Sequence, residues 1–422
     1  MPQPATTPDR RRLQGRVVRV LAAGQVLGGL GTGAALGLGA LLVAEVAGSP
    51  AWSGMSATMG TLGAALLSVP LATLALRRGR RVSLTTGAVV AVLGSLVVVV
   101  AAVAGALLPL LLGVLLVGAA TSLNLQARFA ATDLAAPDAR ARDLSLVVWA
   151  TTVGAVVGPN LYEPGEDLGR ALGVPPLAGG FVIAAVAQAV GALVYLVGLR
   201  PDPLLTAAAD DAARTPADTS PAPRAGGLRV LRESPPARRA VLTVALSHAV
   251  MVALMSMTPV HLTGHGATMT AVGLTISLHV AGMFALSPVF GYLADRWGRR
   301  QVVLVGQALL LASLLLVLVG AESHIAVVVA LVLLGLGWSA STVAGSALVV
   351  TAVEPARRPA LQGVSDALMS LAGAVGGALA GPVLTLLGFG GLAGVLVVLV
   401  AVTTAVQLRP PVVTSQVTDP VT

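Results

Sequence analysis

Apolar stretches of roughly twenty residues, each interrupted by a short polar turn, follow one another from residue 20 to residue 408. About 20 apolar residues are what a helix needs to cross the hydrocarbon core of a bilayer. The pattern predicts twelve helical spans, at 20–44, 53–76, 82–105, 108–131, 144–162, 181–199, 241–262, 269–293, 301–320, 325–350, 361–386 and 389–408. Numbered span 1 to span 12, they make an all-α membrane protein the expected fold class.

The basic residues test that count. All 26 are arginine. With the N-terminus inside, only Arg128 and Arg170 fall outside the segments on the cytoplasmic side, and a miscounted span would scatter the charges over both sides. Short basic loops are retained in the cytoplasm, so both termini are expected there. The N-terminal arginines imitate the start of a secretory signal. The apolar run behind them is too long for one and has no polar cleavage region after it, so it reads as a span that stays.

Residues 200–239 are rich in proline and alanine and carry Asp210-Asp211. They cannot build a core and read as a cytoplasmic linker with a short interfacial helix near Leu228–Arg232. The expected organisation is a first six-span bundle over 1–199, the linker over 200–239, a second bundle over 240–408 and a cytoplasmic tail over 409–422. The halves repeat. Ala72–Arg81 aligns with Gly291–Arg300, each between the second and third span of its half. Gly154-x-x-x-Gly158-Pro159 in span 5 matches Gly377-x-x-x-Gly381-Pro382 in span 11, and the turns 138–142 and 354–358 correspond.

Composition removes several classes of function. Hydrophobic residues make up 56% of the chain and charged residues 10%, as in membrane proteins. Cysteine is absent, which excludes disulfides, a thiolate nucleophile and a cysteine metal site. The net charge of +8 follows from topology, so no nucleic-acid partner is implied.

The turn Gly291-Tyr-Leu-Ala-Asp295-Arg296-Trp-Gly298-Arg299-Arg300 resembles the loop signature of the major facilitator superfamily of secondary transporters. The resemblance implies two pseudo-symmetric six-helix bundles, with a site at their interface near the bilayer midplane and alternating access to it. It also implies that spans 1, 4, 7 and 10 line a central cavity. The first-half loop departs from the pattern, with Leu76 where the second half has Asp295 and Ala72 where it has Gly291. The gate is therefore expected to be asymmetric: Asp295, with Arg296 and Arg299, staples the 8–9 turn to the start of span 5 near Asp143. Gly298 supplies the backbone freedom of the turn, and Arg300 completes its charge.

Gly154, Gly158 and Pro159 resemble an element that the superfamily associates with exporters, chiefly drug:proton antiporters. Its glycine spacing is expected to pack span 5 against a helix of the other half. The family's proton-linked arginine is missing, since Val114 occupies its place. Arg128 lies further along span 4, on one face with Thr121 and Asn124. An arginine inside a span costs about 3 kcal/mol or more and needs a partner or a wet cavity. It reads as an anchor for an anionic group, as the setter of a nearby carboxylate's pKa, or as a side chain snorkelling to the inner surface near Asp133.

His248, Met251 and Met255 share a face of span 7, and Thr275, His279, Met283 and Ser287 share one of span 8. Histidine titrates across the pH difference that a proton-driven carrier uses, and methionine gives an adaptable wall. Gln25 and Thr32 on span 1, with Ser339, Thr342 and Ser346 on span 10, complete the polar faces of the cavity. His279, His248, Asp366 and Asp133 are the candidates for proton coupling. His261 and His265 have metal-ligand spacing but lack a third ligand, so no metal is expected.

Together with these residues, the resemblance implies a proton-coupled exporter of drug-like or amphipathic compounds, expected to be monomeric in a bacterial inner membrane. The proton gradient is its driving force, and it needs no cofactor. The aromatic content of only 3% weakens a broad multidrug pocket. The first rival is proton-coupled uptake of a small metabolite, with Arg128 holding a carboxylate. A membrane-embedded transferase is the remote one, since no clustered carboxylates open a span.

Overall fold

The computed structural model describes residues 7–135, 140–212, 227–353 and 358–408. The turns expected to correspond, 138–142 and 354–358, fall largely outside those residues, as does the tail.

Every element described is helical. Span 1 is Thr7–Ala47. Spans 2 and 3 form one run, Gly54–Val103, broken at Gly79. A straight helix of that length would reach about 75 Å, more than twice the hydrocarbon thickness, so the break is what makes two spans. Span 4 runs through Leu107–Val117 and Ala119–Ala130. Span 5 is Arg140–Val157 with a tight turn over Gly158–Leu161. Span 6 is Gly179–Gly198, span 7 Pro235–Gly264. Span 8 is split into Met269–Phe284 and Ser287–Trp297. Span 9 is Arg299–Gly320 and span 10 His324–Thr351. Spans 11 and 12 are Arg358–Leu408, broken at Gly388.

Backbone conformation marks the repeat. Gly79 has φ 88° and Gly298 has φ 103°, at equivalent places in the two aligned turns. Only glycine enters that region without strain. The residues that follow tie each turn to its own half. Arg80 grips Asp133 through two bonds of 2.9 and 3.2 Å, and the backbone N–H of Arg81 donates to Asp202 at 2.8 Å. In the second half Arg299 donates to the Ala347 carbonyl at 3.3 Å and Arg300 to that of Gln407 at 2.6 Å. Both turns thereby hold the ends of the fourth and sixth spans of their half. Burial pushes the Asp133 carboxyl up from the usual carboxylate range, and Arg80 pulls it back.

Among the described residues, three short α-helices lie outside the spans. Gly227–Glu233 covers the place expected for the interfacial helix, and its Val230 is buried against spans 7, 10 and 11. Pro203–Ala212 was not expected from the sequence; Asp202 caps it by accepting from the N–H groups of Leu204 and Leu205. Tyr162–Leu172 follows span 5. Tyr162, Gly165 and Gly169 form its buried stripe, and Arg170 pairs with Asp167 at 2.6 Å on its outer side.

Candidate functional site

The two halves meet at the end opposite the arginines. Between spans 2 and 11, Thr58 Oγ1 donates to the Ala374 carbonyl at 2.8 Å. Gly54 lies against the Gly377 carbonyl, and Gly381 against that of Ala51, with no room for a β-carbon at either. Between spans 5 and 8, Asn160 Nδ2 donates to Ser277 Oγ at 2.8 Å, and Ser277 Oγ donates to the Val156 carbonyl at 2.6 Å. Gly273 sits against the Pro159 carbonyl there, and Thr270 donates to Glu163 at the rim. Glycine removes the side chains that would hold these backbones apart.

Toward the arginine end the halves part. The first segment of span 8 packs on span 5, whereas Ser287–Trp297 packs on spans 9 and 10 of its own half. Leu76 and Tyr292 are 76% and 59% exposed. Asp295 is exposed as well, and a β-carbon at Gly291 would meet nothing. Arg296 donates to the Tyr292 hydroxyl at 3.0 Å. Asp143, the expected end of the staple, accepts from Gln14 at 2.5 Å. Among the described residues, the polar contacts of the two basic turns stay within a half. The result is a wedge, sealed at one end and open at the other.

The walls of the wedge carry part of the expected chemistry. Thr121 is exposed, while Asn124 and Arg128 are half-buried on span 4. Across the gap, Asp366 of span 11 is exposed, and it is the charge that acts on Arg128 from the other half. Thr32 is half-buried and donates to the Gly28 carbonyl at 2.9 Å. His248 and Thr342 are half-buried too. Trp338 Nε1 lies 3.1 Å from His248 Nδ1. Indole N–H only donates, so Nδ1 accepts and the histidine proton is on Nε2.

Other expected residues lie within the packing of a half. Gln25 is buried and accepts from Thr151 at 2.7 Å. His279 has no accessible surface, and its Nδ1 lies 2.8 Å from the Leu331 carbonyl of span 10. Met251, Met255, Thr275 and Met283 belong to the same buried region. Ser339, also buried, shares a 3.1 Å bond with Ser287. His261 stacks on Phe389 at 4.2 Å and reaches the Ala321 carbonyl at 2.7 Å, while His265 Nδ1 lies 2.8 Å from the His261 carbonyl. Among the described residues no group of three or more His, Cys, Asp and Glu is placed to hold a metal ion.

One expectation is corrected. The glycines of span 5 pack against span 1 of the same half, not against the other half. A β-carbon on Gly154 would lie 2.8 Å from the Leu30 nitrogen, and one on Gly158 would lie 2.7 Å from Gly33 Cα. It is the Pro159 carbonyl that reaches the other half. In span 11 the aligned Gly377 and Gly381 do face across. The sequence repeat is kept while the packing partners differ.

Two features were missed. One is the opposition of Arg128 and Asp366, which the sequence separates widely. The other is the ring cluster of His248, Trp338 and Phe284. A signal for the latter was present, because Trp338 is four residues before Thr342 and shares its face of span 10.

Known proteins resemble this chain in sequence and fold. The family model described as Major Facilitator Superfamily matches residues 242–420. The MFS-type transporter YdeG of Bacillus subtilis (strain 168) is 38% identical over 89% of this chain and 87% of its own. The riboflavin transporter RfnT of Brucella anthropi is 31% identical over 84% of this chain and 85% of its own. Among solved structures, a bacterial homolog of the human lysosomal transporter Spinster, inward-facing and unoccupied, superposes with TM-score 0.73 at 17% identity. The superposition covers 96% of this chain and 97% of that one.

Proposed function

The chain belongs to the major facilitator superfamily and is a multi-pass secondary transporter rather than an enzyme; from that premise we propose that it exports a small amphipathic molecule in exchange for protons. The observation that carries the reading is the open wedge. Its mouth lies at the arginine-rich end, which the positive-inside rule assigns to the cytoplasm, so the described state is the one that loads from inside. In this reading Asp366, exposed on the wall of the wedge, carries the proton, and Arg128 is its counter-charge. The protein works as a monomer in a bacterial inner membrane, with both termini cytoplasmic.

Asp295 is the latch of the opposite state. It is exposed here because the mouth is open. Rocking the halves brings it to the start of span 5, where Asp143 and Gln14 meet. Asp295→Asn is expected to lower transport at least ten-fold while leaving the thermal unfolding midpoint in place, as befits a side chain that supports nothing in this state. Unchanged transport in that variant would remove the latch.

Inside-out vesicles test the direction of transport, with ethidium and riboflavin as probes. An exporter accumulates a probe when the lumen is acidic and releases it when a protonophore collapses the gradient. The second reading, uptake of a small metabolite, is favoured by Arg128 as an anchor, and the likeness to RfnT, named as a riboflavin transporter, supports a metabolite as the cargo. It predicts no accumulation under those conditions and accumulation in right-side-out vesicles with acid outside.

A further inference from the structure

We propose that Trp338, Phe284 and His248 form a cradle for a planar heteroaromatic ring, making such rings the substrate class; this rests on the transporter reading and refines it. Aromatic residues are scarce, with five Phe, three Tyr and four Trp in the whole chain. Yet spans 7, 8 and 10 bring rings together at one place. Phe284 meets Trp338 edge-on, with centroids 5.9 Å apart and planes at 77°. The His248 ring is 6.0 Å from Trp338 and bonded to its N–H. That bond fixes the indole, and all three rings are half-buried.

The cluster faces the wedge and not the lipid. Phe284 lies on the stripe of span 8 that also carries Gly273 and Ser277, the residues that touch span 5 of the other half. It follows Ser277 by about two turns, on the side where the halves separate. In span 10, Val329 is 45% exposed on the outer face. Nine residues at about 100° each put Trp338 half a turn away from it. On span 11, Gly373 borders the histidine, since a β-carbon there would lie 3.0 Å from His248 Nε2. Asp366 lies on the same face of span 11, about two turns nearer the mouth.

This arrangement selects a chemistry. A flat ring stacks on the indole against the edge of Phe284. The Nε2–H of neutral His248 donates to a ring nitrogen or carbonyl. A polar substituent on the ring then reaches toward Asp366 and Arg128. A saturated amphiphile of similar size gains neither the stacking nor the hydrogen bond.

The test uses the full chain with Trp52, Trp149 and Trp297 replaced by Phe, which leaves Trp338 as the sole indole. Lumichrome, a planar three-ring heteroaromatic, should quench its emission saturably, and decyltrimethylammonium should not compete. Trp338→Leu should weaken lumichrome binding, read from the probe's own anisotropy, by about ten-fold. Trp338→Phe should stay within about three-fold of the parent, which separates stacking from misfolding. An unquenched Trp338 at saturating lumichrome, or equal affinity in Trp338→Leu, overturns the cradle. Lumichrome that binds through Trp338 but is not moved in either vesicle orientation overturns such rings as the substrate class and leaves the transporter reading standing. Lumichrome moved equally well without Trp338 overturns the cradle and upholds the transporter reading.

Discussion

Gly54→Val is expected to reduce transport to background while the protein stays folded. The β-carbon of any residue at 54 would be driven into the Gly377 carbonyl of span 11, and neither backbone can yield without displacing its helix. The contact joins the two halves, so the cores within each half are untouched. The variant therefore loses the sealed state and keeps its fold. Vesicle transport and the unfolding midpoint check both claims together. Gly60→Val on the same span is the control, because a β-carbon there meets nothing within 4 Å; it should retain transport within about two-fold. The absence of cysteine makes a direct reading possible. A single cysteine at Thr58, silent behind the seal in the parent, should become reactive from the sealed side in Gly54→Val. A Gly54→Val protein that transports normally would mean that the seal never closes this tightly during the cycle.

Arg128→Ala is expected to slow transport about a hundred-fold, the equivalent of roughly 3 kcal/mol when one member of a charge pair is removed and the other is desolvated as the wedge closes. Arg128 and Asp366 act on each other across the halves. Removing either leaves the other with no compensation as the wedge closes around it. If their role is mutual, Arg128→Ala with Asp366→Ala should lose less than the two single effects multiplied, and exchanging the two charges should recover transport to within about ten-fold. Transport rates of the four variants with one probe, at matched protein in the membrane, complete the cycle. If the double variant is as poor as the product of the singles, Arg128 belongs to the substrate, as the uptake reading requires.

The helical spans were legible because they follow from a length scale and from where the charges interrupt the apolar runs. Stretches of about 20 apolar residues and the arginines between them fix the spans without any tertiary information. The turn at Gly298 and its repeat at Gly79 were legible for a similar reason, since a basic turn between two spans needs a residue free to take positive φ. Packing partners were not. The glycines at 154 and 158 announce a close neighbour but not its identity, and span 1 and the other half satisfy the pattern equally. The helix Tyr162–Leu172 was hidden for another reason. Its buried stripe is one tyrosine and two glycines, too little apolar mass to stand out among Glu163, Glu166, Asp167 and Arg170. The histidines show the same limit. Their spacing placed His248 and His279 alike on inward faces, but the structure gives one a half-buried place beside Trp338 and encloses the other between spans 8 and 10.

The seal between spans 2 and 11 is built from glycines, carbonyls and a threonine hydroxyl. No ions change their hydration when it opens, so added electrolyte has nothing to screen there. The opposite mouth is ringed by arginines and by Asp295, whose attractions reach only about 8 Å at physiological ionic strength. Electrolyte thus acts chiefly at the mouth, and at the sealed end it reaches the rim, where Thr270 meets Glu163, but not the seam between spans 2 and 11. The balance between the two access states is set mainly by dispersion and shape on one side of the membrane and by counter-ions on the other.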